Sequence, residues 1–246
     1  MRRPSWQVLL GITLIVLSAI VYLIQYAVFR DARHIFIYLM GDTAFVFIEV
    51  LLVTLIIHSL LNEREKRVRL EKLNMVIGAF FSEVGTGLLA YLSDFDPKLD
   101  AIRKELIVTN NWSEREFSEV SKRLRTYDYT VEVKRISLQD LRSFLVGKRD
   151  FLLRLVENPT LLEHETFTFL LRGVFHLTEE LSNRQEVTGL PDTDYKHLAA
   201  DLERVYEKLV GEWLDYMRYL KTNYPFLFSF AMRTNPFDQD ASTIVK

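Results

Sequence analysis

The chain has 246 residues and no cysteine. Disulfides, thiolate metal sites and a cysteine nucleophile are thereby excluded, and the compartment has to be read from topology. Glycine and proline are scarce, at nine and six, which leaves little room for disordered linkers. Neither sign of charge dominates: 31 Lys and Arg stand against 33 Asp and Glu, and from Asn62 onward the counts are 27 and 30. A nucleic-acid surface needs clustered Lys and Arg, so no nucleic-acid partner is expected. The sequence holds no Walker-type glycine loop, no dinucleotide glycine fingerprint and no Gly-x-Ser-x-Gly elbow. It therefore assigns no catalytic residue, no cofactor and no enzymatic activity.

What the chain does have is long apolar runs. Residues 6–29 carry no charge over 24 positions, and a span needs about 20 apolar residues at 1.5 Å rise. Arg2 and Arg3 give this run the basic start of a signal peptide, but it is too long for a signal core and no small-residue cleavage site follows. It reads as a retained first transmembrane helix. Residues 30–34 make a polar turn, and 35–61 run back. Arg2, Arg3, Arg64, Lys66, Arg67, Arg69 and Lys72 lie on one side, against Arg30 and Arg33 in the turn, which predicts both termini in the cytoplasm.

The second run carries Asp42 and Glu49. Its seventeen Leu, Ile, Val and Phe residues sum to roughly −5 to −10 kcal/mol on the insertion scale, and two central carboxylates oppose that by about 5–7. Insertion survives narrowly. The acids are seven apart, on one helical face, and should face protein or water rather than lipid. Tyr22 and Gln25, with Ser18, form a polar stripe on the first helix, and folding the hairpin brings Tyr22 to the depth of Asp42. Asp42, Glu49, Tyr22 and Gln25 are thus a possible intramembrane polar or ion site. Hydrogen-bonding glue within the hairpin or between subunits is the plain reading, and a proton or cation path in an oligomer is the functional one.

Residues 62–72 form a charged collar suited to anionic headgroups, with Glu63/Arg67 and Glu65/Arg69 supporting continued helix. Leu70, Leu73, Ile77, Phe80 and Val84 then fall at heptad spacing, an assembly seam or short coiled coil whose partner is another copy or this chain's own domain. Gly78, Ser82 and Gly85 form a small-residue stripe beside it. Residues 73–92 have one formal charge, Glu83, and rival the first two runs as a third span, but Glu83, Asn74 and three glycines offset most of the gain from nine strong apolar residues.

Beyond residue 93 the pattern is helical. Asp96-Pro97 predicts a helix to about Val108, and Ser113 with Glu116 makes a capping box. Tyr127 to Val133 alternates like a strand but has no partner strand, so it reads as an extended connector. Helices are expected over 137–156, 162–184 and 194–223, followed by an aromatic segment, 226–232, that folds back on the core. A ligand or partner peptide is expected between that segment and the last long helix. Asn235-Pro236-Phe237 resembles a short peptide ligand of certain eukaryotic adaptor domains and also reads as a turn closing the aromatic segment. Glu163, His164, Glu165, His176, Glu179 and Glu180 are the best metal-ligand constellation. Neither histidine has a glutamate three positions before it, and His176 shares a face with Arg172 opposite the apolar stripe, so no metal is assigned.

The expected architecture is all-α: a two-helix transmembrane hairpin (1–61, spans about 6–29 and 35–61), a collar and stalk (62–93), a cytoplasmic antiparallel helical bundle (94–237) and a frayed tail (238–246). The expected function is a multi-pass, membrane-anchored scaffold or signalling adaptor that assembles through its stalk and binds a protein partner in the cytoplasm. Its expected partners are membrane lipid and either copies of itself or another membrane protein. The alternative is a small oligomeric conductor using Asp42 and Glu49.

Overall fold

The computed structural model describes residues 6–244, so Arg2 and Arg3, two of the seven basic residues that set the expected orientation, lie outside the described residues. Every regular element among the described residues is helical. The chain divides into two units, 1–66 and 67–246.

The first unit contains α1 (Trp6–Phe29) and the beginning of α2 (Ala32–Phe80). Two residues separate them. Arg30 takes a left-handed backbone (φ 49°) and its N–H donates to Tyr26 O at 2.9 Å, closing the end of α1. Asp31 opens α2 by accepting from Arg33 N at 3.0 Å, so the second helix starts at Ala32, three residues before its apolar run. Thr13 and Thr43 donate to the carbonyls of Leu9 and Leu39 four residues back, which leaves no bare hydroxyl on either helix at those points. Both helices are long and apolar enough to cross a membrane, and none of either apolar window is buried within the chain. A row of exposed side chains such as Ile15, Leu23, Phe47 and Ile56 is an arrangement that water does not tolerate and a hydrocarbon medium does.

The second unit is built around α8 (Asp192–Asn223), against which α3 (Thr86–Ser93), α4 (Glu114–Leu124), α7 (Glu165–Asn183) and α9 (Pro225–Arg233) pack. Leu198, Leu202, Val205, Leu209 and Trp213 are buried along α8, and so are Tyr206, Val210 and Met217 on its flank, the wide apolar face of a central helix. The end of α2 joins this core through Leu73, Ile77 and Phe80. A π-turn, Phe81–Gly85, follows; its wider coil puts the consecutive Phe80 and Phe81 both inside. Gly85 is there because a Cβ would stand 2.6 Å from the Phe81 ring and 2.8 Å from that of Phe80.

Two expected helices differ. Residues 96–108 form two 3₁₀ turns, Leu99–Ala101 and Arg103–Leu106, because Asp96 spends its carboxylate on Lys98 N (2.9 Å) and Tyr127 Oη (2.7 Å), and Ile102 (φ −120°) breaks the helical path. The helix expected over 137–156 is two, α5 (Leu138–Gly147) and α6 (Arg149–Val156), parted at Lys148, whose ammonium reaches Glu83 at 2.8 Å. The Ser113/Glu116 capping box forms as expected, and 127–133 contains no strand.

Asn235-Pro236-Phe237 is a plug rather than an exposed peptide. Asn235 is buried, donates to Leu106 O at 2.8 Å and accepts from Phe237 N at 2.9 Å; the Phe237 ring meets Trp213 edge-on at 5.0 Å. Asn235→Ala orphans the buried Phe237 N–H and leaves Leu106 O with Val108 N as its donor, and is expected to lower stability by about 1–2 kcal/mol in urea unfolding of the detergent-solubilised chain. An unchanged midpoint would contradict this role.

Candidate functional site

In the first unit, Tyr22 and Gln25 of α1 and Asp42 of α2 line one cleft of about 620 Å³, together with Phe29, Asp31, Ile35 and Tyr38. The polar stripe of α1 and the first embedded acid therefore meet. Glu49, two helical turns further along α2, does not line that cleft.

In the second unit the seam residues behave as a core rather than a free face. Leu73, Ile77, Phe80 and Val84 are buried among this chain's own helices, and only Leu70, at 46% exposure, is left outside. Of the two partners that the heptad spacing allows, the chain's own domain fills the seam.

Beside it lies a groove of about 540 Å³. One wall is α2, the π-turn and the first residue of α3, presenting the small residues Gly78, Ala79, Ser82 and Thr86 beside the larger Met75 and Phe81; the other is Tyr216 and Tyr219 of α8, Tyr224 at the junction, and Leu227 and Phe230 of α9. Sequence periodicity alone places a groove between α8 and the aromatic segment, but not its small-residue wall. Gly78 makes the approach possible, since a Cβ there would stand 2.8 Å from Tyr216 Oη. Burial raises the Tyr216 phenol, and burial together with the neighbouring Tyr224 hydroxyl pushes Tyr219 up to about 12. Both hydroxyls therefore stay protonated near neutrality, Tyr219 bonded to the Tyr224 hydroxyl, so each presents a polar tip on an apolar ring. Phe226, Leu227 and Phe230 remain exposed along α9, although Phe228 is buried.

Of the six residues weighed as metal ligands in the sequence, His164 and Glu179 are engaged elsewhere. The His164 ring accepts from Phe167 N at 3.2 Å and so caps α7, Glu179 pairs with Arg149 at 2.7 Å, and the Glu163 side chain is not among those described. Near His164 lies the buried Glu212 of α8, whose carboxyl is raised by burial against the opposing hydrogen bond of Thr166 and the charge of His164. Because the folded state holds this proton more tightly than the unfolded chain, the group weakens folding as pH rises above the ordinary glutamate range. Glu212→Gln should therefore stabilise the chain more at pH 8 than at pH 5. Equal melting shifts at the two values would refute the assignment.

Comparison with known proteins follows the same division. Residues 2–61 match the family model of the MJ1433 N-terminal helical domain, and residues 69–233 match that of uncharacterized protein MJ1433, C-terminal helical domain. The chain belongs to the MJ1433 family. Uncharacterized protein MJ1433 of Methanocaldococcus jannaschii is 43% identical over 244 residues, which cover 99% of this chain and 98% of the relative. No solved structure matches the chain. The boundary between the two MJ1433 domains, 62–68, falls in the charged collar and brackets the division at residue 66.

Proposed function

We propose that this MJ1433-family chain is a membrane-anchored scaffold whose second unit docks an amphipathic helix of a partner membrane protein in the groove between the π-turn and α9. The observation that carries this reading is the pairing of a wall stepped with Gly78, Ala79, Ser82 and Thr86 against an aromatic wall of Tyr216, Tyr219, Tyr224 and Phe230. Small residues admit close helix approach, and tyrosines supply large rigid contact area with a polar tip. The two apolar helices anchor the chain in lipid as a two-span hairpin, with both termini in the cytoplasm, the orientation that its basic residues favour.

The test is site-specific photo-crosslinking in native membranes from position 230, which faces the groove. The expected product is one discrete protein adduct whose crosslinked peptide is an amphipathic helix, lost when Ala79→Trp fills the groove. Adducts to lipid alone, or protein adducts that persist in the filled variant, would defeat the reading.

A second reading, a small oligomeric proton or cation conductor, is favoured by the convergence of Tyr22, Gln25 and Asp42 on one cleft. It predicts flux in reconstituted vesicles that Asp42→Asn with Glu49→Gln abolishes. The scaffold predicts no flux from either form.

A further inference from the structure

On the outer side of α7 and α8 the same spacing occurs twice. His176 and Glu180 are four apart on α7, and His197 and Asp201 are four apart on α8, so each helix presents an imidazole and a carboxylate on one face. The four side chains meet. His176 Nε2 and His197 Nε2 each lie 3.5 Å from the same atom, Asp201 Oδ2; Glu180 Oε1 is 3.9 Å from His176 Nε2, and Glu180 Oε2 is 3.8 Å from His197 Nε2.

Asp201 is the unusual member. Its side chain is only 4% exposed, and Oδ2 is buried without a hydrogen-bond partner. A buried carboxylate oxygen left in that state is costly. Had the imidazoles been placed there to donate to it, they would approach to about 2.7–2.9 Å, the usual length of a charge-assisted bond. Both stop at 3.5 Å instead. That separation is the edge of a tetrahedron: ligands about 2.0–2.2 Å from a Zn²⁺ ion stand roughly 3.3–3.5 Å from one another.

We propose that His176, His197, Asp201 and Glu180 bind a divalent transition-metal ion of the Zn²⁺ class, clasping α7 to α8. Asp201 Oδ2 and the two Nε2 atoms supply three ligands, and Glu180 Oε1 supplies the fourth. Two imidazoles and two carboxylates, with no thiolate, suit Zn²⁺ or its first-row neighbours rather than Ca²⁺ or Mg²⁺. The remaining oxygens are already held by cations: Arg204 Nη2 lies 3.0 Å from Asp201 Oδ1, and Arg184 Nη1 lies 2.7 Å from Glu180 Oε2. Each carboxylate is thus oriented by an arginine through one oxygen and offers the other, the arrangement by which outer partners aim metal ligands. As the side chains stand, no three donors among the described residues close on one point. The two Asp201–imidazole edges already have the right length; the edge from Glu180 Oε1 to His176, at 3.9 Å, has to shorten by about 0.4 Å, and Glu180 has to turn Oε1 toward His197, which lies 3.8 Å from Oε2. Both rings are about half exposed, at 51% and 50%, and are free to make that swing.

The experiment uses untagged full-length chain in detergent, stripped with chelator and titrated with Co²⁺ and then Zn²⁺. One equivalent of Co²⁺ should bind and give the visible bands of a low-symmetry site; Zn²⁺ should bleach them and raise the melting temperature. His176→Ala, His197→Ala and Asp201→Asn should each weaken Co²⁺ at least tenfold, whereas His164→Asn should not. The two histidines are exposed enough that their replacement leaves the fold intact, checked by circular dichroism. No saturable binding overturns the site. Binding that survives His176→Ala with His197→Ala overturns it too, as adventitious metal.

Discussion

Phe80→Ala should lower the unfolding free energy of the second unit by about 3–5 kcal/mol, the range for deleting a fully buried phenylalanine ring. Phe80 is fully buried and meets Phe167 edge-on at 5.3 Å and Phe81 at 5.4 Å, so its loss opens a cavity between the end of α2 and α7. Little can collapse into that space. Gly85 already sits under both rings, and Val84 and Leu88 are buried on either side. With total stabilities commonly about 5–15 kcal/mol, such a loss takes a fifth or more of the margin. Urea unfolding followed by the fluorescence of the buried Trp213 is the measurement. A change below about 1 kcal/mol would mean that residues 73–85 do not belong to this core in solution. Phe80→Leu, which keeps most of the volume, should recover much of the loss.

On the proposed two-span anchor, Val46→Arg should abolish insertion of the second apolar run. Exchanging a favourable valine for a central arginine swings the insertion energy by about 3–4 kcal/mol, a factor of roughly 10²–10³. Asp42 and Glu49 already consume most of the driving force of that run, so the swing falls where the balance is nearly even. The chain offers a clean readout because it has no cysteine of its own. A single cysteine placed at Ala32 should react with an impermeant thiol reagent from outside intact cells in the parent and lose that reactivity in the variant. Asp42→Asn with Glu49→Gln should instead leave labelling intact or strengthen it. Unaltered labelling of the arginine variant would show that the run is not held across the bilayer by its own hydropathy.

Much of the fold can be read locally. The uncharged 24-residue run yields α1, the Ser113/Glu116 pair yields the start of α4, and Leu198, Leu202, Val205 and Leu209 yield α8. What escapes is set by tertiary partners. Asp96 has two claimants, and the distant one, Tyr127, helps to turn an expected helix into 3₁₀ turns. The π-turn exists because Phe80 and Phe81 both find room inside, which no propensity announces. The heptad seam is legible, but its partner is not, since burial against α7 and α8 and burial against another copy demand the same residues. Likewise His176 with Glu180 reads as a solvent face until α8 brings His197 and Asp201 beside it. The repeated His-x-x-x-acid spacing was the available signal, and it carries weight only once α7 and α8 are known to lie side by side.

Residues 73–92 enter the core through their apolar face, and the surfaces that bury it, α8 above all and Phe167 of α7, lie some hundred residues later in the chain. During synthesis this segment emerges directly behind the second apolar run with its greasy face unmatched, close in composition to a bilayer span. On the proposed membrane anchor, its fate is a competition between sequestration by the later helices and capture by lipid. Glu83, about half exposed and paired with Lys148 in the finished protein, is the one formal charge in that segment, and on the same anchor its removal should be felt in the yield of correctly placed chains more than in the finished fold.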